Sequence, residues 1–393
     1  MIARSRSTLP YDLIVLGAGI IGAACAWECA RAGMRVAVLE RSVVGGAATA
    51  AGMGHLVLMD DSPAQLHLTA YGRSLWQSMR DELPSAAEYA PSGTVWVAAD
   101  EDEMQEVRTK QSTYAAVGAA SEVLDTQALR EAEPQLRAGL AGGLLVPGDA
   151  VVYPPVAAAW FLSQAERLGA VLLYGEATAI GHGIVTLKDG RTLCAEKLLL
   201  ATGADISLLP WLPIKPRKGH LVITDRYPGM VRHQLVELGY LKSAHAVTED
   251  SVAFNVQPRS TGQLLIGSSR QYGDARSAVD SALLTKMLRR AEEYLPALAE
   301  VRATRVWTGF RAATEDKLPL LGATETLTQD ASLYLAMGFE GLGITNAPAA
   351  ARLAADALLG RPSEIDASAY LPTRLQATPH SDPVANGAEV LRV

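Results

Sequence analysis

Cysteine is scarce in this chain. Cys25, Cys29 and Cys194 are the only three among 393 residues. Cys25 and Cys29 lie one helical turn apart in an alanine-rich stretch, and no pair has C-x-x-C spacing. This excludes a disulfide framework, a zinc ribbon and a thiol redox pair, and no metal site is expected. A reducing, cytoplasmic setting is the expectation. A basic excess is also missing: the net charge is -7, with both signs mixed along the chain. Such a chain has no electrostatic footprint for nucleic acid. Long apolar runs are absent too. The nearest, 13–27, falls short of the about 20 residues of a membrane span. It is broken by Gly17, Gly19 and Gly22 and runs into Glu28 and Arg31. Any membrane link is therefore expected to be peripheral, at the inner face. No internal repeat is present, and the length suits two or three domains.

Glycine, by contrast, is placed with care. The run Leu13-Ile14-Val15-Leu16 stops at Gly17-Ala18-Gly19-Ile20-Ile21-Gly22, the spacing G-x-G-x-x-G. An alanine-rich helical segment follows to Ala32, then Val36-Ala37-Val38-Leu39 closes on Glu40. The order is strand, tight turn, helix, strand, acid. Gly17 allows a turn forbidden to a side chain, Gly19 lets backbone approach a pyrophosphate, and Gly22 lets the helix pack close to the sheet. The helix start, with Ile20 and Ile21, presents free N–H groups and a positive dipole end to the phosphates. Glu40 stands about 20 residues on, where an acid accepts hydrogen bonds from ribose hydroxyls. The pattern predicts dinucleotide binding.

The rest of the chain alternates between helical and strand periods. The small-residue run from Gly45 to His55 reads as a loop laid against something large and flat. Ser62 and Pro63 start a helix as N-cap and first position. Residues 100–135 are charged and helical in pattern, and 277–294 form an amphipathic helix. Asp189-Gly190 marks a hairpin. Residues 302–311 alternate as a strand. Asn346 is the expected cap of a last helix, 347–359.

Four motifs in this order resemble one family. They are the N-terminal glycine unit, Leu200-Ala201-Thr202-Gly203-Ala204, Trp307-Thr308-Gly309-Phe310-Arg311 and the segment from Gly338 to Pro348. The arrangement, over about residues 11–360, resembles the FAD-dependent D-amino acid oxidase superfamily. That superfamily includes glycine oxidase, sarcosine oxidase and D-amino acid dehydrogenase. The fold expected is α/β, a Rossmann-type FAD-binding domain with an inserted α+β substrate domain carrying an antiparallel sheet. The FAD domain is expected from 1–84, 150–218 and 305–372, the substrate domain from 85–149 and 219–304, and a flexible tail from 373–393.

The resemblance also implies site residues. Arg41 follows the ribose acid as a polar cofactor contact. Gly46, Ala47, Thr49, Gly52 and Met53 match the loop along the flavin, and Ala177 matches the position that meets adenine. Ala201, Thr202 and Gly203 match the turn near pyrophosphate and ribose. Gly338, Gly341, Leu342, Gly343, Ile344 and Thr345 match the loop near the flavin pyrimidine edge. Arg311 matches the arginine that grips the substrate carboxylate. His55 follows the flavin loop near the substrate, and is equally readable as a satisfied or exposed histidine. The arginine that glycine oxidase carries in the closing loop is replaced here by Gly341, beside Glu340. No cysteine stands near 313–319, so the FAD is expected to be noncovalent.

The closing-loop string resembles a subset with D-hydroxyproline dehydrogenase, opine oxidase and hydrogen cyanide synthase flavoproteins. There Glu340 would face the ring nitrogen or hydroxyl of a cyclic imino acid. The activity implied is oxidation of a D-amino or imino acid, cis-4-hydroxy-D-proline foremost, by hydride transfer to flavin N5. Glycine or sarcosine oxidation by O2 and a role as an FAD-carrying subunit of a larger amine dehydrogenase are the alternatives. The electron acceptor stays open between O2, a quinone and a ferredoxin-like or flavoprotein partner. So does homo- or hetero-oligomeric assembly.

Overall fold

The computed structural model describes residues 10–239 and 250–377. Most of the tail expected from 373–393 lies outside these residues. The part of the tail that is described, Pro372–Ala377, forms short 3-10 turns.

The strand Tyr11–Leu16 sits inside the first sheet, between parallel neighbours Val36–Glu40 and Thr192–Leu200. Val171–Tyr174 extends the sheet beyond Val36–Glu40. Leu333–Met337 and then the antiparallel Leu320–Ala323 extend it on the other side. Side chains alternate across the sheet. Leu13, Val15, Val36 and Val38 face a core shared with four helices. Ile14, Leu16, Ala37 and Leu39 face a second core under the hairpin Ile184–Leu187/Thr192–Leu200. A parallel strand buried on both faces has to read as a continuous apolar run, which is why Leu13–Leu16 does.

The helix Ile20–Arg31 lies between the helices Pro154–Arg167 and Gly343–Leu359. Its approach to the sheet leaves no room for a methyl group. A Cβ on Gly22 would overlap the carbonyl oxygen of Gly17. Gly17 itself has φ +104°, and a Cβ there would meet the Ala201 carbonyl oxygen at 2.6 Å. Both glycines are fixed by geometry and not by composition.

The second sheet runs Ala303–Ala313, Lys215–Arg226, Gln263–Arg270, Ser251–Pro258, Gln234–Glu237, Thr94–Ala98, Gly142–Val146, Glu122–Asp125. It is antiparallel except where Gln234–Glu237 runs parallel to Thr94–Ala98. The helix Ser281–Tyr294 covers its outer face, with Tyr294 stacked on Phe254 at 4.7 Å between centroids.

Several expectations need correction. The divisions expected at 218/219 and 304/305 cut through two strands of this second sheet. Lys215–Arg226 and Ala303–Ala313 pair over almost their whole length, from Lys215↔Ala313 to Thr224↔Ala303. Arg311 thus stands on the second sheet. The helical region expected over 100–135 is a helix Glu101–Ala116, a strand Glu122–Asp125 and a helix Thr126–Ala132. Gly118, at φ +71°, ends the first helix and turns the chain back. The small-residue loop contains a short helix, Ala47–Ala51. The amphipathic helix begins at Ser281 because Asp280 caps it, accepting from Leu283 N at 3.0 Å. The last helix begins at Gly343, so Asn346 lies inside its first turn instead of capping it.

Gly22→Ala is expected to destabilise the protein by about 1–3 kcal/mol, the usual cost of overpacking. Denaturant unfolding measures it, and an unchanged midpoint would show that the helix and turn have room to separate.

Candidate active site

A cavity of about 770 Å³ opens between the two sheets. On one side it meets the carboxyl ends of Tyr11–Leu16, Val36–Glu40 and Thr192–Leu200, the place where open α/β sheets bind ligands. Every site residue named above lines it except two. Gly22 lies beneath the first helix, against Gly17. Thr345 is turned away: its hydroxyl donates to the His55 carbonyl at 2.9 Å and accepts from Val57 N at 3.2 Å.

Two helices present their N-termini to the cavity, at Ile20 and at Gly343, so the positive ends of both dipoles face one space. Neither helix carries an acid in its first turn. Ile20 N donates to Thr49 Oγ1 at 3.1 Å, which ties the turn to the small-residue helix. Glu40 is buried at 8% exposure and braces the same turn. One carboxylate oxygen accepts from Ala18 N and the other from Ser42 N, each at 2.8 Å. At the rim Arg41 pairs with Asp205, whose carbonyl accepts from the Thr202 hydroxyl at 2.6 Å.

Arg311 approaches from the second sheet. Its side chain crosses the neighbouring strand at Gly219, where a Cβ would overlap the guanidinium. It ends with Nη1 donating to the Ser269 carbonyl at 3.0 Å, one strand further on. Gly341 lies on its other flank, 3.4 Å from Nε by the Cβ it lacks. Glu340 is engaged elsewhere: its carboxylate pairs with Arg217, the register partner of Arg311. Its backbone, at φ +55°, is pinned by a 2.9 Å bond from its N–H to the Ala312 carbonyl.

Burial and the nearby Arg311 charge push the His55 imidazole down to about 4, against the opposing pull of Gln257. His55 is therefore neutral at physiological pH. Its Nε2 is buried and makes no hydrogen bond among the described residues.

The second sheet supplies wall residues that the sequence reading did not single out. They come in i, i+2 pairs: Thr94/Trp96, Gln234/Val236, Ser268/Arg270 and Arg217/Gly219. Strand alternation explains the pairing. The register places Trp96, Val236 and Asn255 in one row across three strands. The usable signal was polar residues on one face of otherwise apolar strands, as Asn255 stands between Phe254 and Val256. Trp96 Nε1, Gln234 Oε1, Asn255 Oδ1 and Ser268 Oγ are buried without a hydrogen-bond partner among the described residues.

The family model described as DAO, FAD dependent oxidoreductase, matches residues 12–357. The chain belongs to this family. FAD is the cofactor of this FAD-dependent oxidoreductase. A glycine oxidase of Geobacillus kaustophilus is 28% identical over 383 residues, covering 93% of this chain and 97% of its own. A crystal structure of glycine oxidase from that organism matches with a TM-score of 0.81 at 26% identity, covering 93% and 99% of the two chains. A D-amino acid dehydrogenase of Methylobacterium nodulans is 26% identical over 423 residues, covering 90% of this chain and 96% of its own. The hydrogen cyanide synthase subunit HcnC of Pseudomonas aeruginosa is 25% identical over 365 residues, covering 79% and 84%.

The residues present fit FAD. The glycine turn, two acid-free helix starts and the adjoining small-residue run suit a pyrophosphate and a flat ring system. Among the described residues, no helix is long and apolar enough to cross a membrane.

Two outcomes test this site. A valine at Gly19 would crowd Thr49 Oγ1, which a Cβ there already meets at 3.3 Å, and would screen the helix N-terminus. Gly19→Val is expected to purify colourless; full flavin absorbance would overturn the assignment of this turn. The second outcome concerns pH. Between about pH 6.5 and pH 4 the unfolded chain protonates His55 while the folded one does not, so this residue lowers stability as pH falls through that window. Asp149, raised by burial to about 6, acts in the opposite sense. His55→Gln should therefore lose less stability than the parent between pH 7 and pH 4. Parallel pH–stability curves would show that His55 is not held neutral.

Proposed function

We propose that this oxidoreductase oxidises the Cα–N bond of a small amino or cyclic imino acid, with cis-4-hydroxy-D-proline as the best candidate. The observation that carries the reading is Arg311, laid across Gly219 with its planar fork in the cavity wall. A guanidinium pairs with a carboxylate through two parallel hydrogen bonds, which fixes the acid in orientation as well as position. Bound FAD supplies a two-electron acceptor for the hydride leaving the substrate Cα.

The chain's own residues have four tasks. Arg311 holds the carboxylate. Neutral His55 offers a hydrogen-bonding nitrogen to the amine without adding a second positive charge, which favours the unprotonated amine that oxidation needs. Arg217 holds the Glu340 carboxylate on its own side of the register pair, so that a carboxylate substrate meets Arg311 rather than Glu340. The helix starts at Ile20 and Gly343 favour negative charge along the cofactor. Rate then comes mainly from positioning.

The polar wall favours a substrate with more than glycine offers. Trp96, Gln234, Asn255 and Ser268 each bury a polar atom without a partner among the described residues. A hydroxyl both donates and accepts, as Asn255 Oδ1 and Trp96 Nε1 require. Glycine or sarcosine oxidation by O2 is the second reading, supported by the glycine oxidase relatives. Service as the FAD-carrying subunit of an assembly is the third, supported by the HcnC relative. The acceptor, whether O2, a quinone or a ferredoxin-like or flavoprotein partner, is separated by comparing turnover with O2 and with an artificial dye. A cytoplasmic setting, peripheral to membrane at most, accompanies this reading and is supported by the scarce cysteine.

Arg311→Lys keeps the charge and loses the fork. It is expected to retain FAD while kcat/KM falls about ten-fold or more, as for a loss of roughly 1.5–3 kcal/mol of charge-assisted hydrogen bonding. Amines without a carboxylate should lose least. Equal losses for both substrate types would make Arg311 structural and remove the main support for an amino-acid substrate.

A further inference from the structure

Behind Arg311 the second sheet has a gap in its ladder. Lys215–Arg226 pairs with Gln263–Arg270 at Ile223↔Leu265 and Val222↔Ile266, and pairing resumes only at the bridge Lys218↔Gln271. Between these points the strands are held by side chains. His220 N donates to Ser269 Oγ at 2.8 Å, and the His220 ring contacts the same oxygen through Nδ1 at 2.8 Å. The ring's other nitrogen, Nε2, accepts from Asp280 N at 3.0 Å. The Ser269 carbonyl then accepts from Arg311 Nη1.

These contacts determine the tautomer. A backbone N–H can only donate, so Nε2 is bare. Neutral His220 therefore carries its proton on Nδ1 and donates it to Ser269 Oγ. That oxygen accepts from both the backbone and the ring of one residue. His220 and Ser269 are both 0% exposed, so water does not compete for these bonds. Asp280 is itself fixed as the cap of the helix Ser281–Tyr294, through Leu283 N at 3.0 Å, and by Gln271 Nε2 at 3.0 Å. A rigid line thus runs from the capped helix start, through the imidazole and Ser269, to the guanidinium.

We propose that His220 is a positioning residue for Arg311: through Ser269 it sets the angle of the guanidinium fork and so the preference of the cavity for a carboxylate. The proposal rests on the reading of Arg311 as the carboxylate grip. Arg311 reaches the cavity over a glycine, so no side chain of the crossed strand steers it at Gly219. The Ser269 carbonyl does, and His220 holds Ser269 where the ladder does not.

The test titrates the FAD-loaded enzyme with pyrrole-2-carboxylate and pyrrole-2-carboxamide, following the visible flavin band. These ligands differ only in the charged group and are not oxidised at a Cα–H. The variants are His220→Phe, His220→Asn, which keeps a donor toward Ser269, and Ser269→Ala, which keeps the carbonyl but removes the held oxygen. His220→Phe and Ser269→Ala are expected to reduce the carboxylate-over-carboxamide preference about ten-fold, while His220→Asn restores most of it. Should His220→Phe fail to fold, Ser269→Ala decides. An unchanged preference in FAD-loaded Ser269→Ala overturns the proposal. So does an equal loss for both ligands, which would mark a role in stability alone. If Arg311→Lys leaves the parent's preference intact, the carboxylate reading fails instead, and that result is separate from any His220 outcome.

Discussion

The contact between Gly22 and the Gly17 carbonyl is the constraint on which the rest of the structure depends. It brings the first helix down onto the turn that leaves Tyr11–Leu16, with no room for a side chain between them. The helix then lies low enough to carry Pro154–Arg167 on one flank and Gly343–Leu359 on the other. The second of these begins at the cavity, so the same close contact places both helix starts against one ligand. Trp76 secures the arrangement from outside, with Nε1 donating to the Ile344 carbonyl at 2.9 Å. Gly72, on the same helix as Trp76, lies directly against the backbone of Thr345, where a Cβ would overlap its carbonyl. Absent side chains, more than attractive contacts, decide where the polar ends of this fold converge.

The opposite wall follows the same logic with charge added. Arg217 and Arg311 are register partners and project to one face. Two guanidinium groups so placed repel, and the repulsion is relieved by dividing their partners. Arg217 takes Glu340, which descends from the loop before the last helix. Arg311 passes between Gly219 and Gly341 to a backbone carbonyl. The carbonyl fixes the direction of the guanidinium in the cavity wall. His55 registers the guanidinium charge, since Arg311 is the second cause of its lowered pKa after burial.

How much of this was legible in the sequence depends on how local each cause is. The glycine turn, the first helix, Val36–Glu40 and the helix cap at Ser62 were readable because each is set by neighbouring residues; Ser62 Oγ does accept from Gln65 N, at 3.1 Å. The strands Gln234–Glu237 and Leu320–Ala323 were not read, because four residues are too few to show a period and both are held by distant partners. The membership of Ala303–Ala313 was misjudged for a related reason. Its alternation was evident, but the choice of sheet lies in its pairing with Lys215–Arg226, far away in the chain. The residues expected along the cofactor, which belong to turns and helix starts, line the cavity apart from Gly22 and Thr345. The wall residues Trp96, Gln234, Asn255 and Ser268 come from four separate strands and are brought together only by strand pairing, which no single stretch of sequence displays.

The two walls differ in kind, and the difference bears on what each can change. The first-sheet side is made of backbone held by glycines, with Glu40 and Thr49 bracing it from within. A substitution at Gly17 or Gly22 there meets main-chain atoms, which yield little. The second-sheet side is made of side chains rising from a regular ladder, and a substitution there alters one neighbour in a row. A cavity with one unyielding wall and one adjustable wall keeps the cofactor constant while the acid it oxidises varies. On the proposed reading of Arg311 as the carboxylate grip, the identity of the substrate depends on the second-sheet wall, and the glycine motif, however conspicuous in the sequence, says nothing about it.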